Sequence, residues 1–380
     1  MSKGVHPHPG RDPHAPPTGE NQAGALWGIV TVLMTLVGWS SVPLFITYLS
    51  GSIDVWTQNG WRYAFAALLW APVLILAHAR RTVPRALWRS ALLPSIANAL
   101  GQTLFTYAYY NIDAATATFG LRMQIVFLAV GAYLMFPSER ALLRNPRAWI
   151  GILLVLVGVL ATIFLRDPSS ANPVVKGDVP NPHLGVVAAI AAGFLFAAYA
   201  LAVRKQMHGY HPVTAFAAVS QVTAGICIAL MLAFARSPET GARDLGESAL
   251  YLPAFPMLMM LISSIIGIAL GHVFYFISIA RLGVAVTSGV IQVQPFCVAA
   301  AQFVVYGIAL TSGQWVGGLI AVAGAVLLLH TQWKIGRRRA PTHPPGENFN
   351  RETIAGDKPV GIEAAELDAM PINIDGKQRT

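Results

Sequence analysis

Long apolar runs joined by short polar connections make up most of the chain. The runs fall at 26–49, 57–78, 88–110, 115–136, 147–165, 183–204, 212–235, 252–279, 284–308 and 313–333. A helix needs about 20 apolar residues to cross the hydrocarbon core of a bilayer. The pattern therefore predicts an all-α polytopic membrane protein with ten transmembrane helices. Residues 1–24 are rich in Pro, His and Gly and predict a disordered N-terminal tail, in which His6, His8 and His14 are solvated rather than metal ligands. The first apolar run is too long for a signal-peptide core, so it reads as an uncleaved span. Residues 336–380 read as a disordered cytoplasmic C-terminal tail, and residues 167–182 as an outer linker.

Charge gives the spans their directions. Arg80, Arg81, Arg85, Arg89, Arg140, Arg144, Arg147, Arg204, Lys205, Arg281, Lys334, Arg337, Arg338 and Arg339 lie in one set of connections, whereas the other set holds only Arg166, Lys176, Arg236 and Arg243. Basic residues are retained on the cytoplasmic side, so both termini are expected inside a multi-pass plasma-membrane protein. Only 11% of residues are charged, 55% are hydrophobic and the mean hydropathy is +0.55. The net charge of +9 is spread over the connections instead of forming a patch, which argues against a nucleic-acid partner. Cys227 and Cys297 lie inside apolar runs and read as small hydrophobes.

The chain also repeats itself. GQTLFTYAYYNIDAATATFGLRMQI, from Gly101, aligns without gaps on GHVFYFISIARLGVAVTSGVIQVQP, from Gly271. Phe105 meets Tyr275, Thr118 meets Ser288, and Gln124 meets Gln294. Trp149, Gly151 and Gly158 are answered by Trp315, Gly317 and Gly324. Two five-helix repeats follow, at 25–166 and 183–335. Because five is odd, the second must enter the membrane from the opposite side, which is the inverted-repeat plan of many secondary transporters.

Several local features, in order along the chain, carry a resemblance. They are WRYAFAALLW around Arg62, the Ala-Thr-Ala-Thr start of the fourth run, the PSER turn at Pro137 to Arg140, and the Trp-x-Gly pairs of the fifth and tenth runs. Over residues 25–335 the chain resembles the EamA-like family of the drug/metabolite transporter superfamily. The resemblance implies a ten-helix inverted-repeat carrier of the cytoplasmic membrane with both termini inside. Gln124-Ile125 stands where the family has a proline, which the second repeat keeps as Pro295, and the acidic turn at Glu139 has no counterpart after the ninth run.

Ionisable and amide groups at membrane depth are costly, about 2.5–3.5 kcal/mol for a charge at the centre, and mark candidate sites. Arg122, near the middle of the fourth span, is the first candidate for an anionic substrate group, since a guanidinium offers a planar fork of donors. Its alternative is a structural role, satisfied by carbonyls or by Asp113. Arg62 is one turn from the outer edge of its span, and the favoured reading is that it reaches the headgroups. Gln102 and His272 hold equivalent repeat positions, and Gln124, Gln292 and Gln294 lie at similar depth; together they suggest a polar ring around a central solute. Trp39 and Tyr107 lie deeper than an interfacial aromatic belt and are candidates to stack on it. The competing reading of these amides is hydrogen bonding between helices.

No Asp or Glu falls deep in any run, and no HExxH, GxSxG, paired aspartates or Cys/His metal spacing is present. The expected function is secondary transport of a small organic solute, an amino acid or related metabolite with an anionic group, with no cofactor. The partners are the solute and the lipid bilayer, and a homodimer is compatible with the plan. The alternatives are an exporter of amphipathic compounds or, further off, a membrane-embedded enzyme.

Overall fold

The computed structural model describes residues 19–81, 83–167, 180–207, 209–210, 212–282 and 284–339. The histidines at positions 6, 8 and 14, most of the expected linker and nearly all of both expected tails lie outside them. Within the described residues every regular element is helical. In chain order they are α1 (Gly19–Leu49), α2 (Val55–Ala79), α3 (Arg85–Asn111), α4 (Ala114–Leu121), α5 (Met123–Met135), the short α6 (Arg140–Leu143), α7 (Pro146–Phe164), α8 (Pro182–Gln206), α9 (Pro212–Phe234), α10 (Ala254–Ile262), a π-helical segment (Ser263–Leu270), α11 (Gly271–Leu282), α12 (Val284–Ile291), α13 (Gln294–Tyr306) and α14 (Ser312–Arg339).

Among the described residues, nine stretches are long and apolar enough to cross a membrane. The tenth helix is α3, which runs for 27 residues but carries Arg85, Arg89, Ser95, Asn98 and Gln102. It is a span because its polar groups are used inside the bundle: Ser95 Oγ donates to the Val219 carbonyl (3.1 Å) and Asn98 Nδ2 to Thr223 Oγ1 (3.4 Å), both on α9. Three spans expected to be continuous are not. Span 4 is α4 plus α5, span 8 is α10, the π segment and α11, and span 9 is α12 plus α13.

The packing has the symmetry of two repeats. Span 2 lies against span 7, span 4 against span 9 and span 5 against span 10. Span 3 packs on spans 6 and 7, and correspondingly span 8 packs on spans 1 and 2; span 4 packs on span 6, and span 9 on span 1. Exchanging each span for the one five places along leaves this set unchanged, so a pseudo-two-fold axis relates the halves. With five crossings in each half, the halves are inverted.

The tightest seam joins α7 and α14. A side-chain methyl on Gly158 would strike the backbone of Ala321 and Gly317, and one on Gly324 would lie 2.7 Å from the Gly151 carbonyl oxygen. Glycine lets the two backbones touch, which is how helices associate when lipid tails offer no hydrophobic contrast. Around that contact Ile152, Val155, Val159, Ala321, Ala325 and Leu328 form a buried cluster. Trp149 and Trp315, the repeat-equivalent tryptophans, are on the outside instead, 55% and 45% exposed. At the arginine-rich ends, Glu139 of the PSER turn pairs with Arg204 of α8 at 2.9 Å.

Candidate substrate site

Spans 4 and 9 break at equivalent positions. Aligning Gly101 with Gly271 puts Arg122 over Gln292, and the helices are interrupted at Arg122 and at Gln292–Val293. Pro295 explains the second break, because a proline at that point supplies no N–H to the turn before it. The first repeat breaks without proline. Both breaks are closed by tight turns: Arg122 N–H donates to the Phe119 carbonyl (3.0 Å), and Val293 N–H to that of Val290 (3.1 Å). Their backbones match, with φ −63°, ψ −15° at Arg122 and φ −75°, ψ −15° at Val293. Against the first break, Gly193 of α8 passes so closely that a methyl there would lie 3.0 Å from the Leu121 carbonyl oxygen.

Two half-helices, α5 and α13, therefore begin inside the bundle and run outwards to opposite sides. Helix N-termini carry partial positive charge, and discontinuous helices of this sort surround binding sites in carriers.

Arg122 Nη2 donates to Gln294 Oε1 in the other repeat, and Gln294 Nε2 donates to the Trp39 carbonyl at 2.8 Å. Among the described residues, Arg122 Nε is buried with no acceptor. Gln292 reaches only its own helix, Nε2 to the Ser288 carbonyl at 3.4 Å, and its Oε1 is buried with no donor. Beside them the Trp39 indole donates to the Gly267 carbonyl of the π segment at 3.2 Å. Trp39 also meets the His272 ring edge-on at 5.4 Å and the Tyr275 ring at 5.1 Å. Phe216 of α9 stacks on the other side of His272, at 5.1 Å. His272 Nδ1 lies 3.0 Å from the Ile268 carbonyl, which can only accept. The neutral ring is therefore the Nδ1–H tautomer, with Nε2 left as an acceptor.

Of the residues expected at the site, Arg122, Gln294, Trp39 and His272 come together; Gln292 stands at the break two residues before Gln294, with no side-chain hydrogen bond to them among the described residues. Gln102, Gln124 and Tyr107 are half-buried, and no side-chain hydrogen bond joins any of them to that group among the described residues. Tyr107 packs in a separate cluster with Ile46, Ile112 and Ala188.

Two expectations need correction. Asp113 does not satisfy Arg122; it caps α4, accepting from Thr116 N–H at 2.9 Å. Arg62 does not reach the headgroups. It is 1% exposed, its Nε donates to Ser263 Oγ at the start of the π segment (3.1 Å), and its Nη1 has no acceptor. Span 2 packs on both span 7 and the π segment of span 8, where Ser263 lies. Gln58, one turn earlier, accepts from Tyr110 at 2.8 Å, so this corner of the bundle is polar throughout. Phe216 and Ser263 were not anticipated; nothing in an apolar run distinguishes a residue facing this group from one facing lipid.

The EamA-like transporter family model matches residues 26–164 and 183–330, one match on each repeat. The chain belongs to the EamA-like transporter family. It is thus a multi-pass protein of a membrane-transporter family, and the broken spans and cross-repeat contact are features of its EamA-like fold. A solved structure titled only "Crystal structure of protein" is similar over 80% of this chain and 96% of its own, with a TM-score of 0.50 and 15% identity. That likeness concerns the fold alone. No curated protein matches the chain.

Proposed function

We propose that this EamA-like protein is a secondary carrier that moves a small organic solute with an anionic group, such as an amino acid or related metabolite, across the cytoplasmic membrane by alternating access. The supporting observation is the pair of buried, unsatisfied groups at repeat-equivalent positions, Arg122 Nε as a donor and Gln292 Oε1 as an acceptor. A buried polar atom without a partner costs about 1–3 kcal/mol. A solute that carries both an acceptor and a donor offsets that cost at both atoms, and two half-helix N-termini favour its negative end.

In this reading Arg122 holds the anionic group, Gln294 fixes the guanidinium, Gln292 accepts from the solute, and Trp39 and His272 form an apolar wall. Gln102, Gln124, Tyr107 and Arg62 are proposed to line the route to it rather than the binding level. No carboxylate lies within the described spans, so the reading favours facilitated diffusion or exchange over a carboxylate proton relay. The charge bias supports both termini on the cytoplasmic side. The protein is read as a carrier and not an enzyme.

The aromatic group of Trp39, His272, Tyr275 and Phe216 favours a second reading, an exporter of amphipathic compounds. One experiment separates the two: a metabolite uptake and efflux screen in proteoliposomes, with Arg122→Ala and Phe216→Ala compared. If the anionic-solute reading is right, Arg122→Ala abolishes transport of the solute found, and Phe216→Ala changes its KM by only a few fold. Wild-type rates in Arg122→Ala would refute it, and loss confined to Phe216→Ala would favour the exporter.

A further inference from the structure

At the arginine-rich end of the α7–α14 seam, a cavity of about 50 Å³ is lined by Asn145, Arg147, His330, Thr331, Lys334 and Ile335. Its lining shares no residue with the proposed carrier site. Its lining contains no carboxylate. Arg147 and Lys334 make no ion pair among the described residues, and the nearest acid of the preceding turn, Glu139, is already held by Arg204. The Asn145 side chain caps α7, accepting from Arg147 N–H at 3.0 Å, and so fixes where the Arg147 side chain starts. His330 packs against Trp333, with ring centroids 5.8 Å apart.

The geometry points to a binding site for the phosphate-bearing headgroup of an anionic phospholipid. Two cations, an imidazole and an amide converge on a space of phosphate size, which is the donor set such a group needs. The surroundings choose lipid over a dissolved anion. Trp149, two residues after Arg147, and Trp333, which packs on His330, are 55% and 42% exposed, and Ile150 is 52% exposed. Tryptophan gathers at headgroup level, so the cavity opens where acyl chains can run down the outer face of the seam. Basic pockets between spans on this side of a membrane are suited to anionic headgroups. The ligand would bridge the last helix of each repeat, at the end of the seam where the backbones no longer touch.

The test uses the full-length protein in phosphatidylcholine nanodiscs, with bound phosphatidylglycerol counted by native mass spectrometry as its mole fraction is raised. Wild type should retain one phosphatidylglycerol. Each cation near a membrane surface contributes roughly fivefold to affinity, so Arg147→Ala/Lys334→Ala should weaken retention by roughly 30-fold. Both side chains are exposed, and the variant should fold; Lys334→Gln alone, with a loss of about fivefold, serves as a second variant. Arg85→Ala/Arg89→Ala removes the same charge from the same side of the membrane at α3 and should leave retention unchanged. Equal retention in wild type and the Arg147/Lys334 variant would overturn the proposal, as would an equal loss in the Arg85/Arg89 variant. Displacement of the lipid by millimolar inorganic phosphate would also overturn it, in favour of a dissolved anion.

Discussion

Gly158→Ala places one methyl group in the α7–α14 seam. The new carbon would lie 2.7 Å from Ala321 Cα and closer still to Ala321 N and the Gly317 oxygen. Carbon atoms rest about 3.5–4.0 Å apart, so the helices must separate by roughly 1 Å. The atoms in the way are backbone and cannot rotate aside. A gap of about that size forfeits a quarter to a half of each dispersion contact across it, here between Ile152, Val155 and Val159 on one side and Ala321, Ala325 and Leu328 on the other. Overpacking of this kind costs about 1–3 kcal/mol, set against a gain of about 1 kcal/mol from replacing glycine in a helix. The expected result is a net loss of up to about 2 kcal/mol. Gly225→Ala is the matched control. A methyl there meets nothing within 4 Å, so only the helix gain of about 0.5–1 kcal/mol remains. Thermal unfolding in detergent, followed with a thiol-reactive fluorophore in a Cys297→Ser background, reads both, because Cys227 is 1% exposed whereas Cys297 is only partly buried. Gly158→Ala should melt below wild type and Gly225→Ala at or above it. Shifts of the same sign would refute the claim that backbone contact, and not the loss of glycine itself, sets the effect.

Two further outcomes follow from buried polar groups. Ser263→Ala removes the acceptor of Arg62 Nε and leaves a charged donor unpaired, a cost of about 1–3 kcal/mol; Arg62→Met removes charge and need together, so it should melt closer to wild type than Ser263→Ala does, and the reverse order would contradict the buried placement. Burial raises the carboxyl of Asp113 above its usual value of 3.8, and that of Asp54 in the same direction. A raised native pKa means that ionisation opposes folding: the stability is present below about pH 3.8 and is lost as pH rises through the native value. Asp113→Asn keeps a capping acceptor for Thr116 and should flatten the fall in melting temperature with rising pH, leaving the part due to Asp54; an unchanged slope in that melting series would sink the assignment.

Much of the architecture was legible in the sequence because bilayer thickness sets span length and because an odd repeat must invert. Span 9 was expected to be continuous, although Pro295 is a visible mark of its break. The partner break at Arg122 was not legible, since Ile125 carries no such signal and the interruption coincides with the close passage of Gly193. Depth could be read from hydropathy, but rotation about the helix axis could not. Arg62 was expected at the headgroups for that reason, and Gln102 was expected beside His272 because the two align. Trp39 and Gln294 were found among the candidates, yet their mutual contact depends on span 1 lying against span 9, a long-range fact that no local pattern encodes. Phe216 had no distinguishing mark in its apolar run.

The π-helical turn of span 8 has no counterpart in span 3, which is α-helical throughout Arg85–Asn111. Wider turns of this kind are rare and rotate everything beyond them out of α register. Gly271 and Gly101 therefore align in sequence while the helices leading to them differ. In a carrier built from two identical inverted halves, the two end states would be related by the two-fold axis and equal in free energy. Here Trp39 and Arg62 bind the π segment through Gly267 and Ser263, and the other repeat offers no matching turn to bind. Under the proposed alternating access, the two end states would then be unequal, with every 1.4 kcal/mol or so of difference worth about tenfold in occupancy. The empty protein would have a preferred side, written into one helical turn, before any solute or gradient acts on it.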